Sequence, residues 1–204
     1  MIDPLLNKIL RPPLALIAKP LVRLGISANQ VTVFGFVLGI LAVPAIIAEH
    51  FDLALIPILL NRFSDGLDGA VARQTHTTDA GGFLDISLDF IFYSAIVFAF
   101  IVSHPEQNAV AGSLLMLSFT ATGSCFLAFA IMASKHNIDN PQYPNKSLYY
   151  MGGLAEGFET ILVLCLFCIF PEHFVAIALV YTAACFITAG VRIVTGYQTL
   201  NRQG

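Results

Sequence analysis

Arg62 to Asp89 reads RFSDGLDGAVARQTHTTDAGGFLDISLD, five aspartates and two arginines within a chain that is 57% hydrophobic. Four of those aspartates, Asp65, Asp68, Asp85 and Asp89, fall in runs that otherwise read as membrane-spanning helix. An ionisable side chain inside a bilayer is costly and marks a functional site by default. The spacing says what kind. Asp65 and Asp68 are three residues apart, and Asp85 and Asp89 are four apart, so each pair shares one face of its helix. Folding the hairpin about Thr77 leaves Asp65 and Asp89 each 12 residues from the turn, with Asp68 and Asp85 at 9 and 8. Four carboxylates are thereby expected in two facing pairs at matched depths.

The rest of the chain supports a membrane setting. Only 11% of its 204 residues are charged, against about a quarter in soluble domains. Six segments are long and apolar enough to be expected as spans of about 20 residues: 31–48, 53–74, 80–103, 109–134, 148–170 and 174–198. Short polar breaks between them predict antiparallel neighbours, hence an all-α six-helix membrane bundle over residues 29–204. All ten lysines and arginines fall before the first span, in the inner half of the second, in alternate breaks or at the C-terminal end. That asymmetry predicts both termini and the carboxylates on the cytoplasmic side.

Residues 1–28 mix apolar residues with Lys8, Arg11, Lys19 and Arg23, the pattern of an amphipathic helix lying on the anionic inner leaflet. Prolines at 4, 12, 13 and 20 and the absence of a small-residue cleavage site argue against a cleavable signal peptide. The net charge of −3 makes nucleic acid an unexpected partner. Cys165 and Cys168 form a CxxC, but no second Cys or His pair accompanies them and both flanks are apolar. Buried free thiols are the expectation.

Two positive against five negative charges between Arg62 and Asp89 leave a deficit of three in an apolar setting. Bound cations or protonated carboxyls must make it up. An all-oxygen ligand set suits hard divalent ions, Mg²⁺ or Mn²⁺, and four carboxylates suffice for one ion or two. Gly66, Gly69, Gly81 and Gly82 thin the helix surfaces beside the aspartates, for ligand approach or for tight helix packing. Arg73 is placed to fork onto a phosphate.

These residues resemble a known signature. Asp65-Gly-Leu-Asp68-Gly69-Ala-Val-Ala72-Arg73, followed by Gly81-Gly-Phe-Leu-Asp85-Ile-Ser-Leu-Asp89, is similar to the D-x-x-D-G-x-x-A-R…G-x-x-x-D-x-x-x-D motif of the CDP-alcohol phosphotransferases. Seven residues separate Arg73 from Gly81, one fewer than that family usually has, and the shortening falls in the turn that holds His76. The resemblance implies two divalent ions on Asp65, Asp68 and Asp85, with Asp89 as general base beside them. It implies that Gly69, Ala72 and Arg73 hold the CDP group. Asn29 and Thr32, in Ser27-Ala28-Asn29-Gln30-Val31-Thr32, resemble the family's N-terminal P-N-x-x-T stretch with Ala28 in place of proline; starting the first span is the other reading of this stretch.

The implied reaction moves phosphatidyl from CDP-diacylglycerol to a small hydroxylated acceptor in phospholipid synthesis, releasing CMP, in a homodimer of the bacterial inner membrane. The runner-up pairs CDP-choline or CDP-ethanolamine with diacylglycerol. A divalent-cation transporter is a third reading, weakened because no acidic residues continue the path to the other side. For the acceptor pocket the candidates are Lys135, Glu156, Glu159 and Arg192, beside Lys146, Tyr149 and Tyr150; mutual pairing of the acids with Lys135 or Arg192 is the competing reading.

Overall fold

The structure, a computed structural model, describes residues 3–136, 138 and 153–202. Among these there are helices and no strand. In chain order they are α1 (Asp3–Arg23), α2 (Ala28–Ile40), α3 (Ala42–Ile47), α4 (Phe51–Gln74), α5 (Asp79–Ser103), α6 (Pro105–Lys135), α7 (Gly157–Ile169) and α8 (Phe174–Asn201), with a single 3₁₀ turn at Pro171–His173 before α8.

Four stretches are long and apolar enough to cross a membrane: Ala28–Ile47, Asp79–Ser103, Pro105–Lys135 and Pro171–Asn201. The expected count was six. The second expected span exists as α4, 24 residues long, but its charges make it less apolar than a spanning helix by composition. The fifth is described only as the 13-residue α7, and 148–152 lie outside the described residues. Large apolar side chains such as Phe34, Val37, Leu53, Ile56, Val110 and Val180 face outward, as a lipid-facing surface requires and a water-facing one disfavours.

The first expected span, 31–48, is interrupted. Pro44 offers no N–H, and its ring crowds the carbonyl four residues back, at Ile40; the helix breaks at Leu41, between α2 and α3. At the other end of α2, Ser27 forms a capping box: its Oγ accepts from the Gln30 N–H at 3.3 Å and Gln30 Oε1 accepts from the Ser27 N–H at 2.9 Å. Of the alternatives open for this stretch, Ser27 is the cap.

The segment before α2 is helical, as expected, and it lies on α4. Ala18 is fully buried in a small core with Val31, Leu67, Ala70 and Val71, flanked by Leu14, Leu21 and Val22. Gln74 Nε2 donates to the Ala15 carbonyl at 2.8 Å. Gly25, at φ +75, closes α1: Ile26 N–H reaches the Leu21 carbonyl at 3.0 Å and Gly25 N–H that of Val22 at 3.1 Å.

The main core lies at the far end of the bundle. Phe51 stacks on Phe100 at 5.5 Å, Phe100 on Phe174 at 5.1 Å, and Phe167 meets Phe174 at 4.6 Å. Phe51 precedes Asp65 by 14 residues on α4, and Phe100 follows Asp89 by 11 on α5, so at the helical rise roughly 15–20 Å separates this aromatic cluster from the carboxylates. The apolar end holds the helices together and leaves the other end for polar groups. Cys125, Cys165, Cys168 and Cys185 are free; Cys168 is buried as expected, and Cys165 is half-buried.

Candidate metal and nucleotide site

Two helices bring the acids together. α4 runs toward the turn at 75–78 and α5 runs back from it, with Thr78 capping α5 through the Gly81 N–H at 3.0 Å. Asp65, Asp85 and Asp89 each place a carboxylate oxygen within 4.8 Å of the others. All four aspartates, with Thr32 and Asn61, line one cavity of about 10 Å³, roughly the room one water or ion needs. The grouping differs from two facing pairs: it is a trio, with Asp68 beside it. Asp68 is drawn aside because Thr32 Oγ1 donates to its Oδ2 at 2.6 Å, a short charge-assisted bond. Asp68 is buried, at 7% exposure.

Asp65 and Asp89 are each held by a neighbour, as Asp68 is by Thr32. Arg62 Nη1 donates to Asp65 Oδ2 at 2.5 Å. Tyr93 OH donates to Asp89 Oδ2 at 2.9 Å. Asn61 Nδ2 donates to the Gly35 carbonyl at 3.2 Å and ties α4 to α2. That contact is possible because α2 is thin there: a Cβ on Gly35 would stand 2.3 Å from Ser64 Cβ, and one on Gly39 2.8 Å from Asn61 Cβ. Thr32 is three residues before Gly35, so this tight crossing is also what delivers its hydroxyl to Asp68.

Arg62, Asn61 and Tyr93 were not picked out from sequence as site residues. Tyr93 had a readable signal, since it lies four residues after Asp89 on the same helix face. Asn61 had none, because its role depends on α2 crossing α4.

The donor set fits a divalent cation. Opposite oxygens around an octahedral Mg²⁺ stand about 4 Å apart, close to the 4.8 Å spread of the trio. Three carboxylates this close with one arginine against them carry a net negative charge that an ion would neutralise.

The remaining expected residues divide into those beside the trio and those apart from it. The Arg73 guanidinium folds back over Gly69, its Nη1 3.1 Å from where a Cβ on Gly69 would stand. A nitrogen-rich wall beside Asp68 results, and Ala72 is one residue from it on α4. Asn29 Oδ1 stands 3.0 Å from the Cβ position of Gly81, joining the starts of α2 and α5 where a side chain at 81 would intrude. A Cβ on Gly66 would stand 2.9 Å from Leu14 Cδ1, so of its two readings Gly66 serves helix packing. His76 is exposed in the turn.

The acceptor candidates form a second group. Glu156 is buried, and its Oε1 accepts from the Gly153 N–H at 2.9 Å. Thr188 Oγ1 accepts from the Leu154 and Ala155 N–H groups at 3.0 Å each, which fixes this segment on α8. One turn along, Arg192 is buried, donates from Nη1 to the Thr122 carbonyl at 3.2 Å and lies 5.8 Å from the Phe126 ring centre. Glu159 lies in the first turn of α7. Lys135 stands apart: it is exposed and 13 residues beyond Thr122 on α6, about 20 Å by helical rise. Lys146, Tyr149 and Tyr150 lie outside the described residues. A larger groove of about 740 Å³ opens between α5 and α6, but none of the four carboxylates lines it.

Comparison with known proteins points one way. An inner membrane protein of Escherichia coli, YnjF, is 50% identical over 200 residues, covering 98% of this chain and 97% of that protein. An archaetidylinositol phosphate synthase of Pyrococcus horikoshii is 39% identical over 89 residues, 43% of this chain and 47% of that enzyme. The crystal structure of the Mycobacterium tuberculosis phosphatidylinositol phosphate synthase with CDP-DAG bound superposes with a TM-score of 0.67 at 20% identity, over 90% of this chain and 93% of that one. The same enzyme in complex with manganese and citrate gives 0.65 at 20% identity, over 90% and 88% of the two chains. At this identity the likeness is one of fold. The family model for CDP-alcohol phosphatidyltransferases matches residues 25–194, and the chain belongs to that family.

Proposed function

We propose that this integral membrane enzyme moves the phosphatidyl group of CDP-diacylglycerol to a small hydroxylated acceptor at the α4–α5 carboxylates, releasing CMP. The observation that carries this is the convergence of Asp65, Asp85 and Asp89, with Asp68 and Thr32, on one cavity. Membership of the family makes the reaction class a phosphatidyl transfer. Mg²⁺ or Mn²⁺, two ions with substrate bound, would be held by Asp65, Asp68, Asp85 and Asp89; when bound they neutralise the diphosphate and stabilise the departing CMP. The manganese complex of the structural neighbour supports this choice of metal.

The chain's own residues do the rest. Arg73 grips a phosphate of the CDP group over Gly69, with Ala72 and Asn29 completing the nucleotide wall and Thr32 holding Asp68. Asp89, steadied by Tyr93, accepts the proton of the acceptor hydroxyl. The freed oxygen attacks the phosphorus that bears the diacylglycerol, and the bond from that phosphorus to CMP breaks. Arg192, Glu156 and Glu159 hold the acceptor. Six membrane helices with both termini and the site at the cytoplasmic face of a bacterial inner membrane, α1 on its surface and two copies associated, is the arrangement we infer. The inner-membrane relative supports the choice of membrane, and the distribution of basic residues supports the orientation.

The test is direct. Purified protein with Mn²⁺, CDP-diacylglycerol and a panel of hydroxylated acceptors should release CMP, and Asp89→Asn should lower turnover by about 10³-fold or more. Absence of CMP with every acceptor, and with CDP-choline plus diacylglycerol, would sink the assignment.

A further inference from the structure

We propose that Arg11, on the N-terminal helix, is a second phosphate-binding guanidinium at this site, acting with Arg73 on the diphosphate of the CDP-lipid. The inference rests on the reaction assigned above and extends it to a residue outside the α2–α8 helices.

The geometry begins with how α1 is seated. Leu14 presses on Gly66, Ala15 accepts from Gln74, and Ala18 is buried beneath them. Arg11 precedes Leu14 by three residues and Ala15 by four, so it continues the docked face of α1 by one turn. That turn brings it beside Arg73, near enough that the two positive charges act on one another. Arg73 has Asp68 as its other charged neighbour and lies folded over Gly69. Among the described residues neither guanidinium is hydrogen-bonded or ion-paired. Both side chains are exposed.

Two like charges held together by packed helices repel, and an anion between them removes the repulsion. A guanidinium fork matches phosphate oxygens in pairs, so an anion with oxygens on adjacent phosphorus atoms satisfies both residues at once. The diphosphate would then be gripped from two elements, the motif helix and the surface helix. A phosphate from an ordinary anionic lipid headgroup carries the same chemistry, and the experiment separates the two sources.

Binding of CDP alone, in non-ionic detergent with Mn²⁺ and no anionic lipid, reads the nucleotide source. Arg11→Gln should weaken CDP binding by about tenfold or more, with Arg11→Lys between it and the parent. The KM for CDP-diacylglycerol should rise by a similar factor while kcat changes less. Arg11→Gln combined with Arg73→Gln should lose less than the product of the two single losses, since each weakens the other's grip. CDP affinity unchanged within about twofold overturns the proposal. So does an effect of Arg11→Gln confined to activity in vesicles containing phosphatidylglycerol and absent in phosphatidylcholine alone, which would make the partner a headgroup. Parent protein that turns over CDP-diacylglycerol while Arg11→Gln matches it defeats this proposal only; parent protein that neither binds CDP nor releases CMP defeats the reaction itself. Arg11 is exposed, so a monodisperse elution profile like the parent's is expected of the variant.

Discussion

Thr32→Val tests the link between α2 and the carboxylates with a change of one polar atom. Valine keeps the branched shape and nearly the volume of threonine but has no hydroxyl. In the structure that hydroxyl donates to Asp68 at 2.6 Å and also lies 3.0 Å from the Ala28 carbonyl. The first contact is the one that matters, because a hydrogen bond to a charged group contributes about 1.5–3 kcal/mol. Thr32 is half-buried, so water replaces part of the loss and about 1.5–2 kcal/mol remains. At 1.4 kcal/mol per decade this is roughly 10- to 30-fold, which agrees with the 10–100-fold typical of residues that orient metal ligands. The assay is CMP release over a Mn²⁺ titration at saturating CDP-diacylglycerol. Half-maximal activity should move to a 10- to 30-fold higher Mn²⁺ concentration, while the KM for CDP-diacylglycerol, taken at saturating Mn²⁺, moves about threefold or less. An unchanged Mn²⁺ midpoint with a large rise in KM would refute the reasoning, since it would make Thr32 a nucleotide contact and leave Asp68 independent of it.

Three further outcomes follow from the same geometry. Tyr93→Phe removes the donor to Asp89 and should lower kcat about tenfold with little effect on the KM for CDP-diacylglycerol, measured as initial rates of CMP release. Gly35→Ala forces a methyl group to within 2.3 Å of Ser64 Cβ; overpacking of about 1–3 kcal/mol should lower the thermal midpoint in detergent by several degrees and weaken Mn²⁺ activation as Thr32 shifts. Treatment with a chelator should abolish CMP release, with recovery on adding Mn²⁺ or Mg²⁺ and none on adding K⁺ at equal ionic strength.

Much of the site could be read from sequence because it is local. Asp65, Asp68, Asp85 and Asp89 lie on two helices joined by a short turn, and helical periodicity alone brings them face to face. The same arithmetic overstated their symmetry. It placed Asp68 opposite Asp85 because it treated the hairpin as isolated, whereas α2 contributes a hydroxyl that pulls Asp68 toward Thr32. Contacts of that kind depend on which helices cross, and the crossing of α2 and α4 is set by Gly35 and Gly39, whose meaning appears only when Ser64 and Asn61 stand opposite them. Arg62 was legible as a charge but not as the partner of Asp65. The break at Leu41 follows from Pro44, a local signal that an apolar count over 31–48 conceals. Lys135 lies beside the polar break in sequence, and the length of α6 sets it about 20 Å by helical rise from Thr122, where Arg192 is bonded.

The charge content of α4 has a consequence for how the protein enters a membrane. Only 53–60, eight residues, is continuously apolar in this 24-residue helix; Asp52, Arg62, Asp65, Asp68 and Arg73 occupy the remainder. Near the helix centre each charge opposes insertion by about 2.5–3.5 kcal/mol, so Arg62, Asp65 and Asp68 together oppose it by more than eight apolar residues at a few tenths of a kcal/mol each return. Left to itself, α4 partitions to water. The stretch Ala28–Ile47 and α5 are apolar enough to cross a membrane, and they offer Thr32 and the aromatic end of the bundle as partners. α2 packs on both α4 and α5 and is the surface against which α4 can be drawn in, with Arg62 neutralising Asp65. The enzyme's acids make its second long helix dependent on its neighbours from the moment of synthesis.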